Sequence, residues 1–417
     1  MASDKANLVR PFAGMRPAPG RADEIAAPPY DVVNIEEARA LADGKPLCFF
    51  RVSRAEICLP PGTDPYSDQV YEAAAANLKK LEGAGALVRD PSPCFYVYRI
   101  TAGGKSQTGV AVSASVDAYA ENRIKKHELT RPSKEDDRVR QIDAIDSITG
   151  PVLTVHRADS GLAALLDAAS ADEPDAVAAN VNGARHELWT VSDPAAVAEI
   201  ANAVNAMDAL YIADGHHRSA AGARVAEARR NANPDHDGSE PYNGFLAVSF
   251  PDDEVEILDY NRVVKDLNGL DSGAFLESLS QYYRVEPVAE PVRPQGSGRF
   301  GMYLDGQWSL ITPIELEEID DPVESLDVQL LSRSILSPLL GIADQRTDTR
   351  IDFVGGSRGP EEIARRVDSG EMAIGFTLFP TSLADLMAVA DADMIMPPKS
   401  TWFEPKLADG MISLPLD

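Results

Sequence analysis

Apolar runs alternate with amphipathic segments along most of the chain. Short runs rich in valine and aromatic residues, which are typical of β-strands, are CFYVYRI, TGVAVSASVDAY, GPVLTVHR, LYIAD and NGFLAVSF. Helical spacing of apolar residues occurs in SDQVYEAAAANLKKLEGAGAL, ADSGLAALLDAAS and DPAAVAEIANAVNAM. Because strands and helices alternate without a regular strand–helix–strand period, the pattern predicts a mixed α/β fold of the α+β type.

The pattern changes near Leu267. Beyond this point, SGAFLESLSQYY and PVESLDVQLLSRSILSPLL have helical spacing, and RFGMYLDGQWSLITP predicts a hairpin that turns at Asp305 and Gly306. The length of the chain also favours more than one domain. We therefore predict two domains, residues 1–265 and 266–417, the second of them an α+β region.

A strongly polar insertion, IKKHELTRPSKEDDRVR, runs from Ile124 to Arg140 between two predicted strands. Alternating charge is usually a solvated helix face, and we expect such a face for Lys125, Lys126, Glu135 and Asp136. His127 and Glu128 begin the insertion directly after a strand, where loops tend to carry function, so they are candidate catalytic residues. No second histidine follows His127 at the spacing of the HExxH zinc motif.

The densest group of chemically useful residues is the DGHHR turn, Asp214 to Arg218, between LYIAD and the helical segment SAAGARVAEARR. Gly215 allows a sharp bend, and a helix start offers unpaired N–H groups to an anion such as phosphate. Arg218 can hold a phosphate through two parallel hydrogen bonds. We therefore predict that Gly215, His216, His217 and Arg218 bind phosphate. Asp214 would orient a histidine or share a magnesium ion.

The same turn also has a purely structural interpretation. Asp-Gly is a common turn sequence, and one of two adjacent histidines often only caps or packs. The number of polar residues at this one strand end favours function, because a turn alone does not require them.

A second candidate anion-binding turn lies near the C-terminus, in PPKSTWFEPKL. Lys399, Ser400 and Thr401 follow two prolines there, and Arg138 in the polar insertion is a further candidate cation for an anion. A salt-bridged surface is the alternative for these residues. We expect Trp402 to pack in a core.

Composition and charge narrow the classes of function. The 417 residues are 44% hydrophobic and 25% charged, which is ordinary globular usage. The net charge of −27 argues against general duplex DNA binding, which needs a cationic surface, so an anionic ligand must be held by a local site. The three widely spaced cysteines do not resemble a disulfide framework or a zinc site.

The N-terminus has no apolar run of the kind found in secretory signals, and no window reaches the ~20 apolar residues that cross a bilayer. We therefore expect a cytoplasmic protein that binds a small-molecule substrate and neither nucleic acid nor membrane. The sequence leaves the oligomeric state open.

Six segments, in chain order, resemble DUF1015, a bacterial and archaeal family of unknown function. They are PPYDVV, IKKHELTRPSKEDDR, ADGHHR, YNRVVKDL, DTRIDFVGG and PPKSTWFEPKL. This resemblance runs from about Pro28 to the C-terminus and implies no activity by itself.

ADGHHRSAA also resembles the phosphate-binding signature of the ParB/sulfiredoxin superfamily, in which a glycine, a polar residue and an arginine open a helix that cradles nucleotide phosphates. Free-serine kinases of that superfamily carry a DGHHR version and phosphorylate the L-serine hydroxyl with a nucleotide or pyrophosphate. The resemblance implies a ParB/sulfiredoxin-like core in residues 1–265, donor phosphates on residues 215–218, and Asp214 beside the transferred group. Sulfiredoxin needs a cysteine where this chain has His216, and we find no basic helix-turn-helix module of the ParB type.

The leading hypothesis is phosphoryl transfer to a small hydroxylated metabolite, with free L-serine as one candidate. Such transfer depends on in-line placement and charge neutralisation more than on covalent chemistry. Glu128 is the predicted acceptor of the substrate's proton and Asp214 the second choice, while His127 would orient the group or donate to a phosphate. We expect Mg²⁺ together with ATP, ADP or pyrophosphate. The hypothesis requires the polar insertion to fold over the DGHHR turn.

Three other functions remain open. The first is a metal-dependent phosphohydrolase whose ligands are His127, Glu128, Asp214, His216 and His217. The second is a nucleotide or metabolite sensor without catalysis. A ParB-like DNA-binding role ranks last, and it predicts an affinity for duplex DNA that falls steeply with salt.

Overall fold

The structure, a computed structural model, describes residues 5–315 and 319–417. The chain separates into two units, Met1–Val255 with Pro405–Asp417, and Glu256–Glu404. Residues 1–4 lie outside the described residues. They belong to the N-terminal stretch in which we predicted no secretory signal sequence. The predicted division after residue 265 differs from these units, since residues 256–265 lie in the second unit and residues 405–417 in the first. That residues 1–265 form the catalytic domain stays a prediction.

The chain contains short strands throughout, as the alternating apolar runs predict. They are β1 (Val9–Arg10), β2 (Met15–Pro17), β3 (Leu87–Arg89), β4 (Phe95–Ala102), β5 (Lys105–Ser115), β6 (Ile124–Lys125), β7 (Ser147–Ile148), β8 (Val152–His156), β9 (Ala176–Val181), β10 (Ala184–Val191), β11 (Leu210–Asp214), β12 (Gly244–Pro251), β13 (Glu256–Leu258), β14 (Tyr260–Val264), β15 (Tyr283–Val288), β16 (Phe300–Leu304), β17 (Gln307–Pro313), β18 (Ile351–Gly355), β19 (Ile374–Thr377), β20 (Trp402–Glu404) and β21 (Leu414–Pro415).

Helices fill most of the intervals between these strands. They are α1 (Ala22–Ile25), α2 (Ile35–Ala42), α3 (Phe50–Ser53), α4 (Asp68–Gly83), α5 (Val116–Ala120), α6 (Pro132–Ile145), α7 (Ser160–Ala169), α8 (Pro194–Asn205), α9 (His216–Ala232), α10 (Ser272–Leu279), α11 (Asp327–Leu331), α12 (Gly359–Asp368) and α13 (Leu383–Asp391). Side chains cap several of them, as at Asn34, Asp159 and Asp193, whose oxygens accept backbone N–H groups of the first turn. The predicted mixed α/β fold is confirmed.

One mixed sheet organises the first unit. Within the described residues its strands follow the order β6-β11-β8-β12-β5-β4-β10-β9, and β1 also pairs with β5. The β6–β11 and β8–β12 pairs are parallel, and the other pairs are antiparallel. The N-terminal helices α2 to α4 surround a cluster of buried apolar side chains that includes Phe49, Phe50 and Leu78. That the sheet is a ParB/sulfiredoxin-like core stays a prediction.

The polar insertion forms helix α6, which packs on helix α9. Glu135 and Asp136 of α6 both bind Arg224 of α9, at 3.2 and 2.7 Å. The interpretation of Glu135 as part of a solvated face is therefore wrong, because this side chain is mostly covered and joins the two helices. Alternating charge can serve a helix–helix contact as well as a solvated surface.

An antiparallel sheet organises the second unit, in the order β15-β17-β16-β19-β14-β18. The predicted hairpin at Asp305 and Gly306 is confirmed, because both residues have positive φ, as a tight turn between β16 and β17 requires. The helix predicted from Pro322 is instead short, since α11 passes at Leu331 into a π-helix, Ser332–Leu336. The Ser334 hydroxyl donates to the Leu330 carbonyl oxygen of α11 at 2.5 Å, a bond of the kind that bends a regular helix.

None of the helices in the described ranges is long and apolar enough to cross a membrane.

Two buried histidines of the first sheet predict acid sensitivity. His156 Nδ1 lies 2.9 Å from the Ser249 hydroxyl, and His186 Nδ1 lies 3.0 Å from the Tyr98 hydroxyl. Burial lowers the pKa of both histidines to about 4. The unfolded chain therefore binds more protons than the native one between pH 6.5 and 4. We expect each histidine to remove about 3 kcal/mol of stability across that range as the pH falls.

Urea unfolding at a series of pH values tests this expectation. His156→Asn keeps a polar atom facing Ser249 but cannot titrate, so its free energy of unfolding should fall less steeply with acid. An unchanged slope would mean that His156 is protonated as readily in the folded protein as in the unfolded chain.

Candidate active site

Two parallel strands bring the polar insertion to the DGHHR turn. In the β6–β11 pair, Ile124 lies opposite Leu210 and Lys125 opposite Tyr211. Because the strands are parallel, the residues that follow each strand leave the same edge of the sheet. His127 and Glu128 therefore lie beside the turn, which meets the requirement of the leading hypothesis.

The turn has the geometry of an anion site at a helix start. Strand β11 ends at Asp214, helix α9 begins at His216, and Gly215 between them has φ 98°. A Cβ at Gly215 would lie 3.3 Å from the Val152 Cα in a backbone conformation that strains other residues. The N-cap residue Gly215 makes no side-chain cap bond, and its carbonyl oxygen accepts the Arg218 and Ser219 N–H groups at 2.9 and 3.1 Å, so the N–H groups of His216 and His217 are the ones that can receive an anion.

His216 faces the protein interior and Glu128. Its Nε2 accepts the His127 backbone N–H at 3.5 Å, and its Nδ1 lies 3.8 Å from a carboxylate oxygen of Glu128. Burial, together with the neighbouring His127, His217 and Lys126, holds the pKa of His216 well below its ordinary value. The neutral ring therefore carries its proton on Nδ1, where it can orient the Glu128 carboxylate.

His217 points elsewhere. Its Nε2 accepts the Arg131 backbone N–H at 3.0 Å, which ties the start of α6 to the turn. Burial lowers the pKa of His217 from its ordinary value, so this ring is also neutral at pH 7. The two adjacent histidines thus have different surroundings. Phosphate binding by either one stays a prediction.

His127 completes a cluster that could hold a metal ion. Its buried ring meets the His216 ring edge-on, with centroids 4.5 Å apart, and among the described residues neither ring nitrogen has a hydrogen bond of good geometry, although the Ile212 backbone lies close enough to favour the protonated ring. Burial lowers the pKa of His127 to about 4. One potential ligand atom each from His127, Glu128 and His216 lie within 4.8 Å of one another. Two neutral imidazoles and a carboxylate suit zinc or a similar transition metal better than magnesium.

Arg218 is buried, with its side chain 5% exposed, and is held on several sides. One terminal nitrogen reaches both carboxylate oxygens of Asp31, at 3.1 and 2.9 Å, and the other donates to the Pro151 carbonyl oxygen at 2.7 Å. Burial alone would lower the pKa of Arg218, but the Asp31 and Asp214 carboxylates raise it above the ordinary value. Arg218 is therefore a fixed cation at the start of α9.

Arg138 lies near Arg218, and both guanidinium groups contact the Tyr30 ring. The Arg138 guanidinium stacks on the Tyr30 ring at 3.9 Å, while Arg218 lies 5.6 Å from that ring. It also makes two bonds to one oxygen of Asp137, at 3.0 and 2.7 Å. Burial raises the pKa of Tyr30 to about 12, so the ring stays neutral between the two cations. Anion binding by Arg138 stays a prediction, because in this structure its charge is paired with Asp137.

Sequence reasoning missed three charged residues of this site. Asp31 binds Arg218 from the PPYDVV segment, for which the sequence predicted no role in this site. Lys406 lies 3.4 Å from the second carboxylate oxygen of Asp214. Asp409 lies against Arg218 and lines the same small cavity. No sequence pattern connects residues 406 and 409 with the turn, because the residues of the whole second unit separate them along the sequence.

The second predicted anion-binding turn lies in the other unit and uses its polar groups locally. Lys399 has a positive φ of 58° and its ammonium lies 5.6 Å from the Tyr260 ring. The Ser400 hydroxyl donates to the Pro397 carbonyl oxygen at 2.7 Å, and Thr401 precedes β20. Anion binding by Lys399, Ser400 and Thr401 stays a prediction. Trp402 is half-buried, and its ring lies against Gly355 and edge-on to the Tyr260 ring at 5.3 Å, so its packing in a core stays a prediction.

Comparisons with known proteins assign the family. The sequence profile of DUF1015, described as a protein of unknown function, matches residues 9–329. No curated protein matches the chain. Among solved structures, a free serine kinase in complex with AMP is similar at 13% identity and a TM-score of 0.34, covering 71% of this chain and 86% of that chain.

Two further solved structures are similarly remote. A conserved hypothetical protein from Pyrococcus furiosus has 14% identity and a TM-score of 0.35, covering 72% of this chain and 93% of that chain. SbnI with a C-terminal truncation, from Staphylococcus aureus, has 13% identity and a TM-score of 0.36, covering 73% and 87%. The family profile, in contrast, spans well over half of the sequence, and the protein belongs to the DUF1015 family.

Proposed function

We propose that this protein transfers a phosphoryl group from a nucleotide or pyrophosphate to the hydroxyl of a small metabolite, with free L-serine as the first acceptor to test. One observation carries the proposal, namely that the Glu128 carboxylate lies beside the open N-terminus of helix α9. A proton acceptor and a phosphate-binding helix start are the two parts that such a transfer needs side by side.

Glu128 is the proposed proton acceptor. Its side chain is 40% exposed, so a substrate hydroxyl can reach it, while the His216 ring lies behind it at 3.8 Å. The proton on His216 Nδ1 favours one orientation of the Glu128 carboxylate. His216 is thus a positioning residue in this proposal. His127, which precedes Glu128 in the chain, holds the His216 ring through its backbone N–H.

The start of α9 and Arg218 are the proposed donor site. Free N–H groups at a helix start and a fixed guanidinium both favour the oxygens of a phosphate. Asp31 covers one side of Arg218 in this structure, at 2.9 Å. Because the Asp31 side chain is 43% exposed, it can turn aside when a phosphate takes its place.

The charges at the site explain why a divalent cation would be needed. Asp31, Asp214 and Glu128 bring carboxylates close to the cations Arg218 and Lys406, so the site has no surplus of positive charge for a polyphosphate. Carboxylate oxygens of Asp31 and Asp214 are the ligand type that Mg²⁺ prefers. A bound Mg²⁺ would neutralise charge on the phosphates.

A ³¹P NMR assay tests the proposal. Purified protein would be incubated with Mg²⁺ and ATP, ADP or pyrophosphate, with and without L-serine and related alcohols. We expect a phosphoester peak that requires both donor and acceptor, and Arg218→Lys should lower the rate of its formation about 10²-fold, because lysine cannot form the paired hydrogen bonds. Arg365→Ala, an exposed arginine of the second unit, is the control and should leave the rate unchanged.

A metal-dependent phosphohydrolase is the second candidate, favoured by the cluster of His127, Glu128 and His216. It predicts a transition metal at one equivalent in the purified protein and decay of the phosphate donor without any acceptor. Donor binding with no turnover under either condition would instead support a sensor and contradict both enzymatic functions.

A further inference from the structure

We propose that His127, Glu128 and His216 form a binding site for a transition-metal ion such as Zn²⁺, and that an ion held there withdraws Glu128 from proton transfer. Only the effect on Glu128 rests on the proposed function, which it deepens by naming a means of regulation. One potential ligand atom of each residue lies within 4.8 Å of those of the other two. Two imidazoles and a carboxylate, with water in the fourth position, are a common zinc ligand set.

The His127 ring is the feature that points to a ligand. The residue is only 2% exposed, and among the described residues neither ring nitrogen has a hydrogen bond of good geometry. The Ile212 backbone lies close to the ring. Histidines that bind metals usually direct one N–H to a backbone carbonyl or a carboxylate, which leaves the other nitrogen for the ion. Because buried polar atoms are rarely left without a partner, a metal ion would supply the interaction that this ring lacks.

The gap between His216 and Glu128 has the width that two metal ligands need. His216 Nδ1 lies 3.8 Å from a Glu128 oxygen, which is longer than an ordinary hydrogen bond. Two ligands bonded at about 2.1 Å to one tetrahedral zinc ion are about 3.4 Å apart. An ion would take the place of the Nδ1 proton between the two groups. The proton would move to Nε2, whose contact with the His127 N–H is long, at 3.5 Å, and therefore weak.

The cluster is open to solvent on one side. The His216 side chain is 4% exposed and that of Glu128 is 40% exposed, so an ion can enter beside the carboxylate and keep a water ligand there. Mg²⁺ prefers an octahedron of oxygen atoms, whereas imidazole nitrogens suit zinc and its neighbours. The cluster therefore discriminates against the Mg²⁺ that would accompany a phosphate donor.

A metal ion at this site changes what Glu128 can do. The lone pair that would accept the proton of a substrate hydroxyl would be bound to the ion, and the ion's charge would make the carboxylate a weaker base. We therefore expect Zn²⁺ to inhibit the proposed phosphoryl transfer even when Mg²⁺ is present.

Titration with Co²⁺ tests the site without any need for activity. Protein free of an affinity tag and of metal would be titrated with Co²⁺, whose visible absorption reports nitrogen ligands and coordination number, and Zn²⁺ would then compete. We expect a single equivalent to bind with four or five ligands. His127→Phe keeps a ring of similar size and removes both nitrogens. Its affinity for Zn²⁺ should fall by more than about 10²-fold, which exceeds the effect of losing a partner behind a ligand.

Two further variants accompany His127→Phe. Glu128→Gln also removes a strong ligand, because an amide oxygen carries no charge, and it should weaken Zn²⁺ binding as well. His236→Phe removes a histidine that lies outside the cluster, 2.9 Å from Glu240, and should leave the affinity unchanged. Thermal unfolding of the metal-free proteins shows whether a loss of binding comes from damage to the fold.

The results separate the site from the proposed function. Equal Zn²⁺ affinity of wild type and His127→Phe, or a loss only in His236→Phe, overturns the site and leaves the proposed function standing. Phosphoester formation is then compared with and without Zn²⁺, each protein against its own metal-free rate. An occupied site with undiminished transfer, or with donor decay that needs no acceptor, overturns the effect on Glu128. Metal-free protein that forms no phosphoester contradicts the proposed function, and the Co²⁺ spectra still decide the site.

Discussion

Replacing Glu128 by glutamine is expected to lower kcat about 10²- to 10⁴-fold, the usual contribution of a general base. The amide has nearly the same shape as the carboxylate but cannot accept the proton of the substrate hydroxyl. Because Glu128 is partly exposed and lies on a loop after β6, the fold should tolerate the change. Donor binding, which depends on the start of α9 and on Arg218, should stay close to that of the wild type.

Rates of phosphoester formation measured by ³¹P NMR, together with calorimetric donor binding, test this expectation. Glu72→Gln, an exposed position on α4, controls for the loss of one negative charge. If Glu128→Gln keeps the wild-type kcat, another group accepts the proton, and Asp214 is then the first alternative. If the variant loses donor binding and keeps its turnover at saturation, Glu128 belongs to the donor site instead.

The sequence predicts the DGHHR turn well because the turn is local. An apolar strand, a glycine with positive φ and an alanine-rich helix follow one another within a short stretch, and the strand and the turn each leave a local pattern. The leading hypothesis required Glu128 to lie beside this turn, but no local sequence pattern predicts that contact. It depends on β6, which has only the two residues Ile124 and Lys125, too few to show a period.

The partners of Arg218 could not be predicted for a related reason. Asp31, which binds it most directly, is 187 positions away in the sequence. Lys406 and Asp409 are separated from the turn in the sequence by the entire second unit, and backbone pairing of residues 405–417 with the N-terminal region and with β7 brings them back. Hydrophobic periodicity describes which face of an element is buried, and it contains no information about which distant loop supplies a counter-charge.

Replacing Asp409 by asparagine is expected to stabilise the protein at neutral and alkaline pH. The side chain is 1% exposed, and among the described residues neither of its carboxylate oxygens has a hydrogen-bond partner of good geometry. Burial raises the pKa of Asp409 to about 7, although Arg218 opposes the shift. Between pH 3.8 and 7 the native protein therefore binds one proton more than the unfolded chain, and stability falls by about 4 kcal/mol as the pH rises through that range.

Asparagine at position 409 stays neutral at every pH, so the variant does not lose stability through ionisation of this buried side chain. The difference in free energy of unfolding between Asp409→Asn and wild type should grow from pH 4.5 to 7 and then level off, and urea unfolding at each pH measures it. The buried histidines act in the opposite direction in both proteins, so the difference isolates Asp409. Asp172→Asn, an exposed aspartate, is the control and should show no such trend.

A difference that does not change with pH would mean that Asp409 keeps its charge in the folded protein. Arg218 would then be its counter-ion, since the Arg218 Nε is another buried polar atom without a partner in the described residues. Both groups border a cavity of about 30 Å³ beside Gly150, where a Cβ would lie 3.6 Å from that nitrogen and 3.9 Å from an Asp409 oxygen. A cavity of this size admits a water molecule that could join the two. The pH dependence of Asp409→Asn therefore determines whether a buried carboxylate balances the charge of Arg218 or whether only the partly exposed Asp31 and Asp214 do so.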